Sequence, residues 1–304
     1  MKIGGKAAGI VVAVGSDVTA LRPGDAVYGV AFSRPMNWEV TPGFCSEYAV
    51  GRASLFLRKP AGVPFTEAVA LLGNVVTAVQ SFDLAERLMR KENGRDASLK
   101  GKTVFVPGAL SATGNVGVQL AKHAYGAARV VATASTPKVP LVAERLPAGT
   151  VDQVIDYQAT PRLVDAVGRG AVDFVYNTQW DLTGTFPLLR PETGVAVSIA
   201  SLPPYSLLLQ MMKRPPGLAV RIVTTLAQWW YYWKLRGTNI KYDFVSGNPG
   251  VRADLEKAGE LIAEGKVKAV MNVVPFNDIE AIRKASGHVF TGKGGVGTLV
   301  IEIL

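Results

Sequence analysis

The stretch KTVFVPGALSATGNVGVQLAKHA, residues 102–124, holds side chains whose size and spacing suit a phosphate. An apolar run from Thr103 to Val106 is expected to form a strand, followed by a tight turn of small residues and a helix from about Gly114. In that order the N–H groups of Ala112, Thr113, Gly114, Asn115 and Val116 point at one place, where the helix dipole favours a pyrophosphate. Ser111 and Ala112 stand where a dinucleotide loop often carries glycine. Both are small, and the Ser111 hydroxyl can itself donate to a phosphate oxygen. Such a loop alone is a weak signal, because any strand-to-helix turn can be built from small residues.

The next strand adds to it. An NAD site usually has an acidic residue at the end of the second strand, placed to take the ribose hydroxyls. In RVVATASTPKVP that place is held by Ala134, followed by Ser135, Thr136 and Lys138. Two hydroxyls and an ammonium suit a 2′-phosphate, so the expected cofactor is NADPH. The alternative is a solvated loop whose Ser135 or Thr136 caps the next helix.

These residues need a scaffold, and the rest of the chain supplies one. The 304 residues are 48% hydrophobic and 19% charged, enough for a large core divided into two lobes. Residues 1 to 58 read as short strands, GIVVAVG, DAVYGVAF and FCSEYAV, separated by Gly, Pro and Asp turns. A long helical segment follows from Thr66. Strands then alternate with helices: 103–106, 114–124, 129–134, 138–146 and 153–155, with buried strands at Val172–Thr178 and Gly194–Ser201. This alternation implies parallel β-α-β units, an α/β fold. The last segment reads as helix, strand, helix and strand.

Composition narrows the chemistry. One cysteine, Cys45, allows neither an internal disulfide framework nor a cysteine-rich metal cage, which suits a reducing compartment; the expected location is cytoplasmic. With only His123 and His288 beside it, no three-ligand zinc site is expected. The net charge of +9 is dispersed and carries no nucleic-acid motif, so the expected partner is a small molecule. The opening residues do not read as a targeting peptide. Residues 217–237, with Trp229, Trp230, Tyr231, Tyr232 and Trp233, are interrupted by Arg221 and too short to span a bilayer. They are expected to form a helix packed over the second lobe or against a partner chain, with a lipid interface as the alternative.

Several of these motifs, in this order, resemble the medium-chain dehydrogenase/reductase superfamily in its zinc-free quinone and enoyl reductase branch. AAGIVVAVGSDVTALRPGDAVYG is similar to the barrel signature, and GFCSEYAV to its Gly-x-x-Ala-Glu-Tyr segment. GALSATGNVGVQLAK resembles the Ala-x-x-Gly-x-x-Gly loop, with Gly108, Ser111 and Gly114 as the matching positions. VDQVIDY is similar to the strand whose Tyr157 lies by the adenosine 2′-phosphate. The tail is similar to fungal trans-acting enoyl reductases, which implies secondary metabolism. The resemblance implies a Rossmann-type sheet over 76–269 and a GroES-like β-barrel lobe from 1–75 and 270–304. That lobe is expected to be truncated, because typical members carry further opening strands.

By position the resemblance implies that Thr77 contacts the nicotinamide or pyrophosphate side, and that Asn177, Thr178, Ile199 and Ala200 line the nicotinamide pocket. Lys293 is expected near the phosphates or the substrate mouth. Phe32 and Trp38 are expected to wall the substrate, and Asn74 to donate to a substrate carbonyl. Tyr28, Lys293 or solvent is left to supply the proton. Zinc members carry metal ligands where this chain has the segment GGKAAG, with Lys6, and Asn74. The implied activity is hydride transfer to an activated C=C bond or a quinone. The alternatives are an accessory cofactor-binding protein and a shape-directed cyclase or isomerase. A homodimer is expected through the sheet edge near GVAVSIASLPP.

Overall fold

Runs of Val, Phe, Ala and Ile with no polar face form strands that must be covered on both sides. In the computed structural model, which describes residues 4–32, 43–93, 97–212, 215–291 and 295–303, these runs build the central sheet. The strands are β1 (Lys6–Ile10), β2 (Ala26–Val30), β3 (Phe56–Arg58), β4 (Thr103–Val106), β5 (Arg129–Ala134), β6 (Gln153–Asp156), β7 (Phe174–Asn177), β8 (Val195–Ser198), β9 (Lys241–Phe244), β10 (Met271–Pro275) and β11 (Thr298–Glu302). The helices are α1 (Phe65–Asn93), α2 (Gly114–His123), α3 (Val139–Arg145), α4 (Leu163–Val167), α5 (Tyr205–Met211), α6 (Leu218–Lys234), α7 (Arg252–Ala263) and α8 (Ile279–Thr291).

Strands β4 to β9 form one sheet in the order β6-β5-β4-β7-β8-β9, all parallel. This is the doubly wound Rossmann order, which reverses direction between β4 and β7. Three antiparallel strands, β1, β2 and β3, form a second sheet, and β10 and β11 a parallel pair. Both smaller sheets lie against α1. The expected lobe boundary at 75/76 falls within α1, which continues unbroken through it.

Helix α1 is apolar on most of its circumference, and such a helix belongs in a core. It is long and apolar enough to cross a membrane, yet most of it is buried by the rest of the protein. Phe82 lies at its centre, 5.1 Å from Phe174, 5.4 Å from Tyr176 and 4.9 Å from Tyr125 by ring centroids.

Two expectations need correction, and a third is met in part. GFCSEYAV forms no strand: Ser46 N–H bonds to Phe44 O and its hydroxyl to Tyr48 O, so local turns take the backbone groups a ladder would use. GVAVSIAS is not a sheet edge, because β8 is paired on both sides; the edge strand is β9, whose KYDF lacks the apolar signature. Helix α6 is packed along a single stripe only, and most of its surface is exposed.

Candidate functional site

Strand β4 ends at Val106, and the chain turns through Pro107 and Gly108 towards α2. Because β5 and β7 flank β4 and their connections leave in opposite directions, a crevice opens here at the carboxyl ends of the strands. The turn is held from both sides. Gly108, at φ +75°, donates its N–H to Thr133 Oγ1 at 2.9 Å. Thr178 Oγ1, just past β7, donates to Pro107 O at 2.5 Å and so ties the two sides of the crevice together.

Two glycines shape the cradle. A methyl group on Gly114 would lie 2.0 Å from Gly108 O, and one on Gly117 would lie 2.6 Å from the Tyr176 ring. The motif therefore reads Ser111, Gly114, Gly117, one three-residue step beyond the expected Gly108, Ser111, Gly114. Gly117, missed in the sequence, is what allows α2 to pack closely on β7; its signal was the repeat of the three-residue step.

The fan of N–H donors is narrower than expected. Ser111 Oγ accepts from Gly114 N–H at 2.9 Å, and Ser111 O accepts from Asn115 N–H at 3.0 Å. Asn115 is buried, and its amide donates to Ser111 O at 2.7 Å and Ala112 O at 3.0 Å, so it braces the loop from beneath. The N–H groups of Ala112, Thr113 and Val116 have no acceptor among the described residues. With the Ser111 hydroxyl proton, they leave free donors at a helix start, a donor set that fits a pyrophosphate.

At the expected adenosine side, Ser135 lies just past β5 and Thr136 N–H donates to Gln158 Oε1 at 2.9 Å. Tyr157 is half exposed. Lys138 Nζ donates to Gly295 O at 2.6 Å, linking this loop to the segment before β11. That segment also reaches the cradle, since Gly297 N–H bonds to Leu110 O at 2.8 Å. An acid absent from the expected set, Asp156, pairs with Ala134 across β5 and β6. The Thr136 hydroxyl and the N–H groups of Gln158 and Ala159 hold its carboxyl below the usual range, so it stays ionised and is engaged within the loop.

At the expected nicotinamide side, Ile199 and Ala200 are half-buried at the end of β8, and Ile199 N–H bonds to Asn177 O at 3.0 Å. Asn177 does not line a pocket: it is fully buried and donates to Gln179 O and Ser198 Oγ. Thr178 is likewise buried, with its hydroxyl committed to Pro107. Thr77 donates back to Gly73 O at 3.0 Å, and Gly247, in the loop after β9, lies directly against its hydroxyl.

The candidate catalytic residues are reassigned by their surroundings. Tyr28 is 1% exposed, its hydroxyl faces Gly259 on α7, and burial pushes its pKa up to about 12; it is a core residue, not a proton donor. Asn74 spends its side-chain amide on Ala70 O at 3.1 Å and Thr298 Oγ1 at 3.0 Å, which leaves no proton for a carbonyl. Phe32 lies over Gly5. Lys293 and Trp38 lie outside the described residues.

Lys6, noted in the sequence only as a departure from zinc ligation, is a desolvated cation. Its ammonium donates to Ala70 O at 3.1 Å, and loss of hydration lowers its pKa from 10.5 to about 8. Thr298 Oγ1 reaches the same carbonyl at 3.3 Å. The two positions that carry metal ligands in zinc members thus meet around one carbonyl, with a cation supplied by lysine. Among the described residues no cluster of three His, Cys, Asp or Glu side chains could hold a metal.

Comparison with known proteins agrees with this architecture. Residues 150–293 match the family model described as zinc-binding dehydrogenase. The 2-methylene-furan-3-one reductase of Solanum lycopersicum is 35% identical over 150 residues, 49% of this chain and 35% of that protein. The chloroplastic NADPH-dependent alkenal/one oxidoreductase of Arabidopsis thaliana is 36% identical over 135 residues, 44% of this chain and 32% of that one. The chain thus matches about a third of the length of each of these relatives. The fold is that of the quinone oxidoreductase from Coxiella burnetii, with TM-score 0.71 and 22% identity over 99% of this chain and 79% of that one. With the sheet order and the cradle, these matches make the chain similar to zinc-binding dehydrogenases over residues 150–293 and to the two plant reductases over just under half of its length, on the fold of a quinone oxidoreductase.

Proposed function

We propose that this protein binds NADPH in the cradle between β4 and α2 and reduces an activated C=C bond or a quinone without a metal ion. The observation that carries the reading is the crevice at the sheet's reversal point, with Ala112, Thr113 and Val116 N–H groups and the Ser111 hydroxyl directed to an anion. Ser135 and Lys138 at the end of β5 favour the 2′-phosphate form. A bound nicotinamide would supply the hydride. The chain's own part is to hold the dinucleotide, to exclude water around Ile199 and Ala200, and to supply a proton. That proton is left to Lys293 or solvent, because Tyr28 is buried in the core and the Lys6 ammonium is desolvated and bonded to Ala70 O. Relatives named as an alkenal/one oxidoreductase and a furanone reductase support the substrate class.

The test is NADPH oxidation by the purified protein with a panel of enones, enals and quinones. Turnover with at least one class is the expected result. Tight NADPH binding with no turnover on any of them would replace the reductase reading with that of an accessory cofactor-binding protein.

A further inference from the structure

Helix α6 is built inside out. Residues that face the protein include Thr224, 3% exposed, with Gln228, Tyr231 and Leu235. Gln228 donates to Leu202 O, and Thr224 bonds back to its own helix. The outward side is apolar: Leu218 is 70% exposed, Leu226 60% and Trp229 63%, with Ile222 and Trp233 also in solvent. These five lie at i, i+4, i+8, i+11 and i+15, within a stripe about 80° wide at 100° per residue, opposite the packed face. A helix that faces only water has the reverse pattern, and a contiguous exposed apolar surface of this kind marks an interaction site.

Charge decides the occupant. Between Glu192 and Asp243 the sequence has no acidic residue, and it carries Lys213, Arg214, Arg221, Lys234, Arg236 and Lys241. On α6 itself, Arg221 and Lys234 flank the apolar stripe on either side. Lys234 Nζ lies 4.7 Å from the Trp230 ring centroid, and the Trp230 and Trp233 rings stack at 5.1 Å. A second copy meeting this face symmetrically would bring cations against cations. An anionic surface meets both features, because stripe residues enter the acyl boundary while Arg and Lys reach the headgroups and Trp and Tyr settle between them.

We propose that α6 docks the protein on the surface of an anionic lipid bilayer, lying in the interface without crossing it. With 17 residues the helix is about 25 Å long, and parallel to the bilayer it presents the whole stripe at once. This inference stands on the helix alone and is independent of the proposed reductase activity.

Flotation of the full chain with phosphatidylcholine vesicles, with and without about a third phosphatidylserine, tests it. The intact protein is expected to float with the anionic vesicles, weakly with the neutral ones, and less as salt is raised. Leu226→Ser/Trp229→Ser/Trp233→Ser should lower binding at least tenfold. Arg221→Gln/Lys234→Gln should lower it about fivefold per cation on anionic vesicles only. These side chains are exposed, so melting temperatures close to that of the parent are expected and serve as the control for folding. No binding to anionic vesicles, equal binding to neutral ones, or undiminished binding by the first variant would overturn the proposal. So would a dimer in sedimentation that the first variant dissociates, with no lipid binding, since the occupant would then be a second copy.

Discussion

The ammonium of Lys6 and the side-chain amide of Asn74 donate to the same acceptor, Ala70 O, each at 3.1 Å. Lys6 comes from β1 and Asn74 from α1, and Thr298 of β11 joins them. One carbonyl therefore ties the N-terminal sheet, the core helix and the C-terminal strand together, with a desolvated cation in the knot.

That cation has a pH signature. The Lys6 pKa falls from 10.5 to about 8 on folding, so between those values the unfolded chain binds more protons and stability rises with pH. Below about pH 8 the burial penalty is fully present. Lys6→Met should therefore be more stable near pH 7 by up to about 3 kcal/mol. The difference should shrink as pH rises from 8 towards 10.5, as read by urea unfolding across that range.

The cradle predicts a glycine requirement. Gly117→Ala would force a methyl into the Tyr176 ring, and Gly114→Ala into Gly108 O. Each substitution should weaken dinucleotide binding at least tenfold, or about 1.4 kcal/mol, in a fluorescence titration. Gly62→Ala, where a methyl would meet nothing within 4 Å, should leave binding unchanged.

Much of this was legible from sequence where one side chain type repeats. Val, Phe and Ala runs marked β4, β5, β7 and β8, and the small residues from Gly108 to Gly117 marked the loop. Elements with mixed character were not legible. The edge strand β9 reads KYDF, and its pairing is set by β8, not by its own apolarity. Site roles failed for a related reason. Asn74, Thr77, Asn177 and Thr178 are expected at the crevice from sequence, but sequence does not reveal that a backbone carbonyl already claims a donor of each. The lowered pKa of Lys6 likewise depends on packing between β1 and α1, which no local pattern encodes.

The proposed preference for a 2′-phosphate rests on Ser135 and Lys138. Lys138 must exchange the Gly295 carbonyl for a phosphate, an exchange that favours the charged acceptor. Ser135→Ala/Lys138→Ala should lose about tenfold to a hundredfold in NADPH affinity, the worth of one or two charge-assisted hydrogen bonds, and little for NADH. Competition between the two nucleotides reads this directly.

The core depends on the aromatic contacts of Phe82. Phe82→Ala removes a fully buried ring that touches Phe174, Tyr176 and Tyr125. It should cost about 3–5 kcal/mol in chemical denaturation.

The most direct test of the account is calorimetric titration of the purified protein with NADPH and, in parallel, with NADH. One binding site with a clear preference for NADPH is the predicted result, and it would identify the loop from Gly108 to Gly117 as a working pyrophosphate cradle. Absence of binding by both nucleotides in the folded protein would contradict it.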